Sequence, residues 1–114
     1  MKYSESLKKN REFQQVYKNG RSAANRLLVM YEMENGLGKN RLGVSVSKKV
    51  GNSIVRHRLT RLIRESYRLN EEMFPCGRDI VVIARVSAKG KGYREIESAL
   101  LHLGRLHGMI NINL

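Results

Sequence analysis

Between Asn52 and Arg68 one helical period carries two opposed patterns. At about 100° per residue, Val55, Leu59, Leu62 and Ser66 fall on one side, flanked by Ile63 and Leu69, a seam suited to packing on a sheet. His57, Arg61, Arg64 and Arg68 fall on the opposite side, with Arg56 and Arg58 on the two flanks. Glu65 is the sole acid between Lys48 and Asn70, so the (i, i+4) pairs that relieve a charged face reduce to one candidate, Arg61 with Glu65. A stripe of like charges repels itself unless an anion completes it. Guanidinium forks donate two parallel hydrogen bonds to phosphate oxygens, and such contacts hold a protein on nucleic acid without reading its sequence. The helix is expected to be capped by Asn52 or Ser53, to run to about Glu72, and to stop before Pro75 and Gly77. The turn Lys48-Lys49-Val50-Gly51-Asn52 adds two cations and a helix N-terminus to the same patch.

The rest of the composition points the same way. Lys and Arg number 22 against 10 Asp and Glu, a net charge of +12 over 114 residues, which calls for an anionic partner, nucleic acid before membrane. Hydrophobic residues make up 41%, enough for a core, and the length suits a single RNA-binding domain over 1–114. The apolar residues lie in separate core-forming segments, unlike a membrane-surface helix. No stretch is long enough to span a bilayer, and the first residues lack an apolar signal segment, so a cytoplasmic protein is expected. Cys76 is the only cysteine, which excludes an internal disulfide and a thiolate metal cluster; it reads as a partly buried small residue.

The other segments alternate between helix and strand. Asn10–Gly20 reads as a short helix capped by Asn10 and ended by Gly20, with Phe13, Val16 and Tyr17 on one face. Leu27–Met33 reads as a strand and Asn35–Asn40 as a turn. Arg41–Ser47 alternates: Leu42, Val44 and Val46 point one way, and Arg41, Gly43, Ser45 and Ser47 form a small polar face across which a ligand could lie. Ile80–Ala84 reads as a buried strand, Ala88–Gly92 as a basic loop, and Tyr93–Leu106 as a last helix with Ile96, Leu100 and Leu103 on one face. The segment beyond Gly108 is not assigned.

A protein catalyst of RNA cleavage would need a histidine pair, a histidine with a carboxylate, or carboxylates holding metal. His57 lies on the arginine ridge. His102 and His107, five apart, do not share a face and read as surface or packing residues. Glu71-Glu72 reads as a solvated helix end, and Glu95 with Glu97 as the first turn of the last helix. No catalytic residue and no metal ligand is assigned.

The stretch Gly43-Val44-Ser45-Val46-Ser47-Lys48-Lys49-Val50-Gly51-Asn52, followed by Arg56, Arg58, Arg61, Leu62, Ile63, Arg64 and Glu65, resembles the RNR motif of the bacterial ribonuclease P protein family. The resemblance extends through Leu7-Lys8-Lys9-Asn10, Phe13, Tyr17 and Ala24-Asn25-Arg26. The chain departs from the family pattern at His57, usually Asn, and at Thr60, usually Lys. The resemblance implies an α/β (α+β) two-layer sandwich: a small, mostly antiparallel sheet packed by helices, with a left-handed βαβ crossover, as in the second domain of the fifth small-subunit ribosomal protein. That handedness runs against the general rule. It implies the protein subunit of a ribonucleoprotein that removes the 5′ leader from precursor tRNA, with Mg²⁺ and the catalytic groups in the RNA subunit; no cofactor is assigned to the protein. It implies contact with the catalytic RNA through Lys49, Asn52, Arg56, His57, Arg58, Arg61, Arg64 and Arg68. The precursor's leader would lie between the first helix and the sheet, against Phe13, Tyr17, Tyr31, Ser45, Ser47 and Lys48. The alternatives are a ribosomal or other structural RNA-binding protein, and a stand-alone nuclease.

Overall fold

The computed structural model describes residues 1–110. Five strands form one sheet: β1 (Ser4–Ser6), β2 (Arg21–Ala24), β3 (Leu28–Glu34), β4 (Asn40–Ser45) and β5 (Arg78–Ala84). Three helices accompany them: α1 (Asn10–Asn19), α2 (Ser53–Leu69) and α3 (Tyr93–Leu106). The spatial order is β1-β4-β5-β3-β2. The sheet is mixed. β2–β3 and β3–β5 are antiparallel, the second with the longest register of the sheet, while β1–β4 and β4–β5 are parallel. The parallel neighbours β4 and β5 are joined through α2, which makes the βαβ unit.

Strand alternation assigns the two faces. Leu28 and Met30 of β3, Leu42 of β4, and Ile80, Val82 and Ala84 of β5 point to α2 and α3, where they join Leu59, Ile63, Tyr67, Ile96, Leu100 and Leu103 in the main core. Their neighbours point to the other face, where α1 lays Val16 against Leu7 and Val81. The helix layer is thus on one side, and one short helix crosses the other.

The buried arc of α2 is Leu59, Ile63, Ser66 and Tyr67. That is rotated by roughly 50° from the seam read in the sequence. The cause is Tyr67, whose ring is fully buried while its hydroxyl meets Ser4 Oγ at 2.8 Å and accepts from Asn40 Nδ2 at 3.1 Å. With the helix turned this way, Leu69 is not at the packed flank but 58% exposed, and Arg56 is half-buried. Asn52 is the cap: its side chain accepts from Val55 N at 3.0 Å.

Other local readings change too. The long helix ends at Leu69, and a separate 3-10 turn covers Glu71–Met73. Glu71 is buried, not solvated; its two carboxylate oxygens accept from the amides of Lys2 (2.8 Å) and Tyr3 (2.9 Å), which ties the first residues to the end of α2. Burial pushes its carboxyl up, but the hydrogen bonds from Ser4, Lys2 and Tyr3 prevail and hold it below the usual range. The helix α1 is capped by Lys9, with Asn10 its first residue. Cys76 is exposed. His107 is a packing histidine, with Nε2 2.9 Å from Met30 O and Nδ1 3.6 Å from Glu32. Beyond Gly108, Met109 and Ile110 are buried in the main core. No helix among the described residues is long and apolar enough to cross a membrane.

Candidate nucleic-acid interface

Two surfaces collect the residues singled out in the sequence. The first is the outer face of α2. His57, Arg58, Arg61 and Arg68 are exposed along it, and Arg64 is half-buried at its edge, where Nη1 donates to Ser6 Oγ at 3.0 Å. Glu65 pairs with Arg68, three residues on, rather than with Arg61. Arg56 turns toward the sheet side of the helix, and its Nε is buried without a protein partner. Lys48 and Lys49 are exposed on the preceding turn. Asn52 is exposed as well, but its carboxamide oxygen is committed to the cap.

The fate of the acids explains why this face stays cationic. Glu32 takes Arg21 and Arg78, Asp79 and Glu12 share Arg41, Glu5 takes Lys39, and Glu95 lies near Lys91. Glu71 is held by backbone amides, and Glu97 accepts from Asn70 and Tyr93. Among the described residues, Arg58 and Arg61 enter no ion pair. Most carboxylates hold the fold together elsewhere and leave Glu65 as the ridge's one counter-charge.

The second surface is a cleft of about 470 Å³ between α1 and β4, lined by Lys8, Asn10, Phe13, Gln14, Tyr17, Val44 and Ser45. It exists because β4 carries a glycine under the helix. A Cβ at Gly43 would lie 2.6 Å from the Phe13 ring, so Phe13 settles onto bare backbone. The rings of Phe13, Tyr17 and Tyr31 then form a chain, 6.5 Å and 5.1 Å between centroids, the second contact edge-to-face. All three stay partly exposed. Burial raises the Tyr17 phenol above its ordinary range; the Ser45 hydroxyl works against this and Tyr31 adds to it. Tyr17 therefore stays a neutral donor with one wet side.

Tyr31 stands behind Tyr17 and does not line the cleft itself. Ser47 and Lys48 follow the end of β4, exposed, outside the cleft lining. Lys8, Asn10, Gln14 and Val44 do line it and were not singled out in the sequence. Asn10, Phe13, Gln14 and Tyr17 are spaced i, i+3, i+4, i+7, so helical periodicity alone places Asn10 and Gln14 on the aromatic face. Among the described residues no three of His, Cys, Asp and Glu are grouped to hold a metal ion.

Known proteins repeat both sequence and shape. A family profile described as Ribonuclease P matches residues 1–106. The ribonuclease P protein component of Lachnoclostridium phytofermentans is 62% identical over 108 residues, covering 95% of this chain and 93% of the relative. That of Alkaliphilus metalliredigens is 54% identical over 111 residues, covering 97% and 100%. Among solved structures, the Staphylococcus aureus RNase P protein superposes with a TM-score of 0.85 at 39% identity, covering 93% of this chain and 97% of that one. The Thermotoga maritima RNase P protein gives 0.81 at 34%, covering 89% and 96%. Sequence, fold and the arginine ridge thus converge: the chain belongs to the ribonuclease P protein family and is the protein subunit of that tRNA-processing ribonucleoprotein.

Proposed function

We propose that the chain divides its two surfaces between two RNAs. The outer face of α2, with Lys49, Asn52, His57, Arg58, Arg61, Arg64 and Arg68, grips the backbone of the catalytic RNA. The α1 cleft, with Phe13, Tyr17 and Ser45 and with Tyr31 behind them, receives the unpaired 5′ leader of precursor tRNA, and Ser47 and Lys48 meet it where β4 ends. Arg56, half-buried beside the ridge, adds its guanidinium to the same contact with the catalytic RNA. The hydrolytic chemistry, with its Mg²⁺, belongs to the RNA subunit; the protein holds and positions.

The observation that carries this reading is the contrast in charge pairing. Apart from Glu65, which pairs with Arg68, the α2 ridge carries no carboxylate, and most of the other acids are committed elsewhere, which suits phosphates. The cleft instead offers partly open aromatic rings, which stack unpaired bases with little sequence preference. His57 keeps a donor on the ridge, and Thr60 removes a charge beside it. The family match disfavours a ribosomal role.

Reconstitution tests the reading. Protein alone is expected to leave precursor tRNA intact, and added to the catalytic RNA it is expected to restore leader removal at low Mg²⁺. Cleavage by purified protein without RNA would overturn it.

A further inference from the structure

A second cleft, of about 450 Å³, opens between the β2–β3 turn and α3, on the helix side of the sheet. Its floor is apolar, with Leu27 and Ala99 each 8% exposed. Its walls carry Arg26, Arg94, Ser98 and His102. Asn25 organises these groups. Its Oδ1 accepts from the amides of Leu27 (3.2 Å) and Leu28 (3.0 Å), which directs Nδ2 at α3. Nδ2 donates to Ala99 O at 2.9 Å and meets His102 Nδ1 at 3.1 Å. A donor facing Nδ1 makes that nitrogen the acceptor, so the neutral ring carries its proton on Nε2.

The polar groups left over are then donors: two guanidiniums, an imidazole N–H and a hydroxyl. Glu95, the one acid in the lining, is committed; Oε1 accepts from Gly92 N at 3.1 Å, and Oε2 lies 3.9 Å from Lys91 Nζ. Arg26 and Arg94 enter no ion pair among the described residues. Donors above an apolar floor match a ligand that only accepts at its charged end and has an apolar body. A phosphodiester with its nucleoside is such a ligand.

Position narrows the source. Ser45, Ile83, Val29 and Ala24 are register partners across β4, β5, β3 and β2. They lie on the α1 face, one row beyond Gly43, Val81, Tyr31 and Ser22. At 4.7–4.9 Å per strand the row is about 14 Å long. It starts at Ser45 in the α1 cleft and ends beside the β2–β3 turn, where Arg26 stands. Its side chains are uncharged and none is longer than that of Ile83, so no charge and no long side chain along it bars an extended strand.

We propose that this second cleft binds a phosphodiester of the precursor's leader, upstream of the portion held by α1. The proposal rests on the α1 cleft being the leader site. A leader crossing the sheet along this row would reach Arg26 at the turn and pass over that lip to Arg94, Ser98 and His102.

The test compares two precursors in the reconstituted holoenzyme: one leader just long enough to fill the α1 cleft, and one extended upstream. In Arg26→Ala/Arg94→Ala the affinity gained from the extension is expected to disappear. The log–log salt slope for the long leader should fall by about 0.7, the value of one single-strand phosphate contact. Arg26→Lys/Arg94→Lys should recover most of the gain, with both variants melting as wild type. A long-to-short affinity ratio that stays at the wild-type value overturns the proposal. So does an equal loss for both leaders, or weaker binding of the catalytic RNA without substrate. Tyr17→Ala separates the two readings. If it weakens the short leader while the arginine pair leaves the ratio untouched, the second cleft fails and the first stands. If Tyr17→Ala spares the short leader, the α1 reading fails, and the present proposal fails with it.

Discussion

The two faces of the sheet are built to different standards. Under α2 and α3, Leu28, Met30, Leu42, Leu59, Ile63, Tyr67, Ile80 and Leu100 are fully sealed, and two helices of complementary arc cover them. Under α1, Leu7, Val16 and Val81 are the only buried hydrophobic residues among those described, while Phe13, Tyr17, Tyr31, Met33 and Ile83 remain partly open. A single helix of 10 residues cannot roof five strands, so part of that face stays bare. The sealed face supplies stability and turns its charged exterior outward; the thin face keeps aromatic surface available. Stability and leader recognition can therefore be perturbed separately.

The largest expected effect falls on the sealed face. Ile63→Ala or Leu100→Ala should cost about 2–5 kcal/mol in denaturant unfolding. Val16→Ala, under α1, should cost roughly 1–2 kcal/mol by the methyl groups removed. Equal losses on both faces would erase the contrast. Next comes Gly43→Val, which drives a side chain into the space of the Phe13 ring. It should lower stability by about 1–3 kcal/mol, lift α1 and weaken precursor binding, while the catalytic RNA still binds as before. Retained precursor affinity would mean the cleft is not where the leader sits.

Tyr17→Ala should cost about 1–3 kcal/mol of precursor affinity for a lost stacking contact, with mature tRNA bound as tightly as before. Equal loss for both, together with a lower melting temperature, would make Tyr17 a packing residue. Glu71 sharpens the other side of the comparison. Its carboxyl is held below the ordinary range, so its contribution is present above the unfolded carboxyl value, near 4.5, and is lost as pH falls through the lowered value. Glu71→Gln should remove about 1–2 kcal/mol near neutral pH and flatten the acid limb of the stability curve. An unchanged acid limb would mean that the Lys2 and Tyr3 contacts contribute nothing to folding.

Much of this organisation was legible in the sequence, and the exceptions share a cause. The last helix spans Tyr93–Leu106 as its periodicity predicts, because its apolar residues point one way and nothing else competes. Phe13 and Tyr17 were readable as one face from their spacing. The strands β1 and β2, of 3 and 4 residues, were not readable, because Ser-Glu-Ser and Arg-Ser-Ala-Ala are strands only by virtue of their partners β4 and β3. The rotation of α2 was hidden for the same reason. Tyr67 looks amphipathic until Ser4 and Asn40 satisfy its hydroxyl, and only then can its ring anchor the helix. Glu71 looked solvated because its partners are amides nearly seventy residues earlier. Glu65 could reach either Arg61 or Arg68, and rotamer choice, not spacing, selects Arg68. Apart from this last, local choice, long-range partners decide each of these, and no local pattern encodes them.

The smallest effect is also the most diagnostic. Arg61→Ala removes one exposed guanidinium without an acid partner and should leave folding intact. The salt dependence of catalytic-RNA binding tests the central claim directly, that the α2 ridge grips RNA phosphates. For Arg61→Ala the log–log slope should become shallower by about 0.7–0.9, one phosphate contact, with the precursor-to-mature tRNA preference of the assembled enzyme preserved. A slope identical to wild type would contradict it and make the ridge a solvated surface.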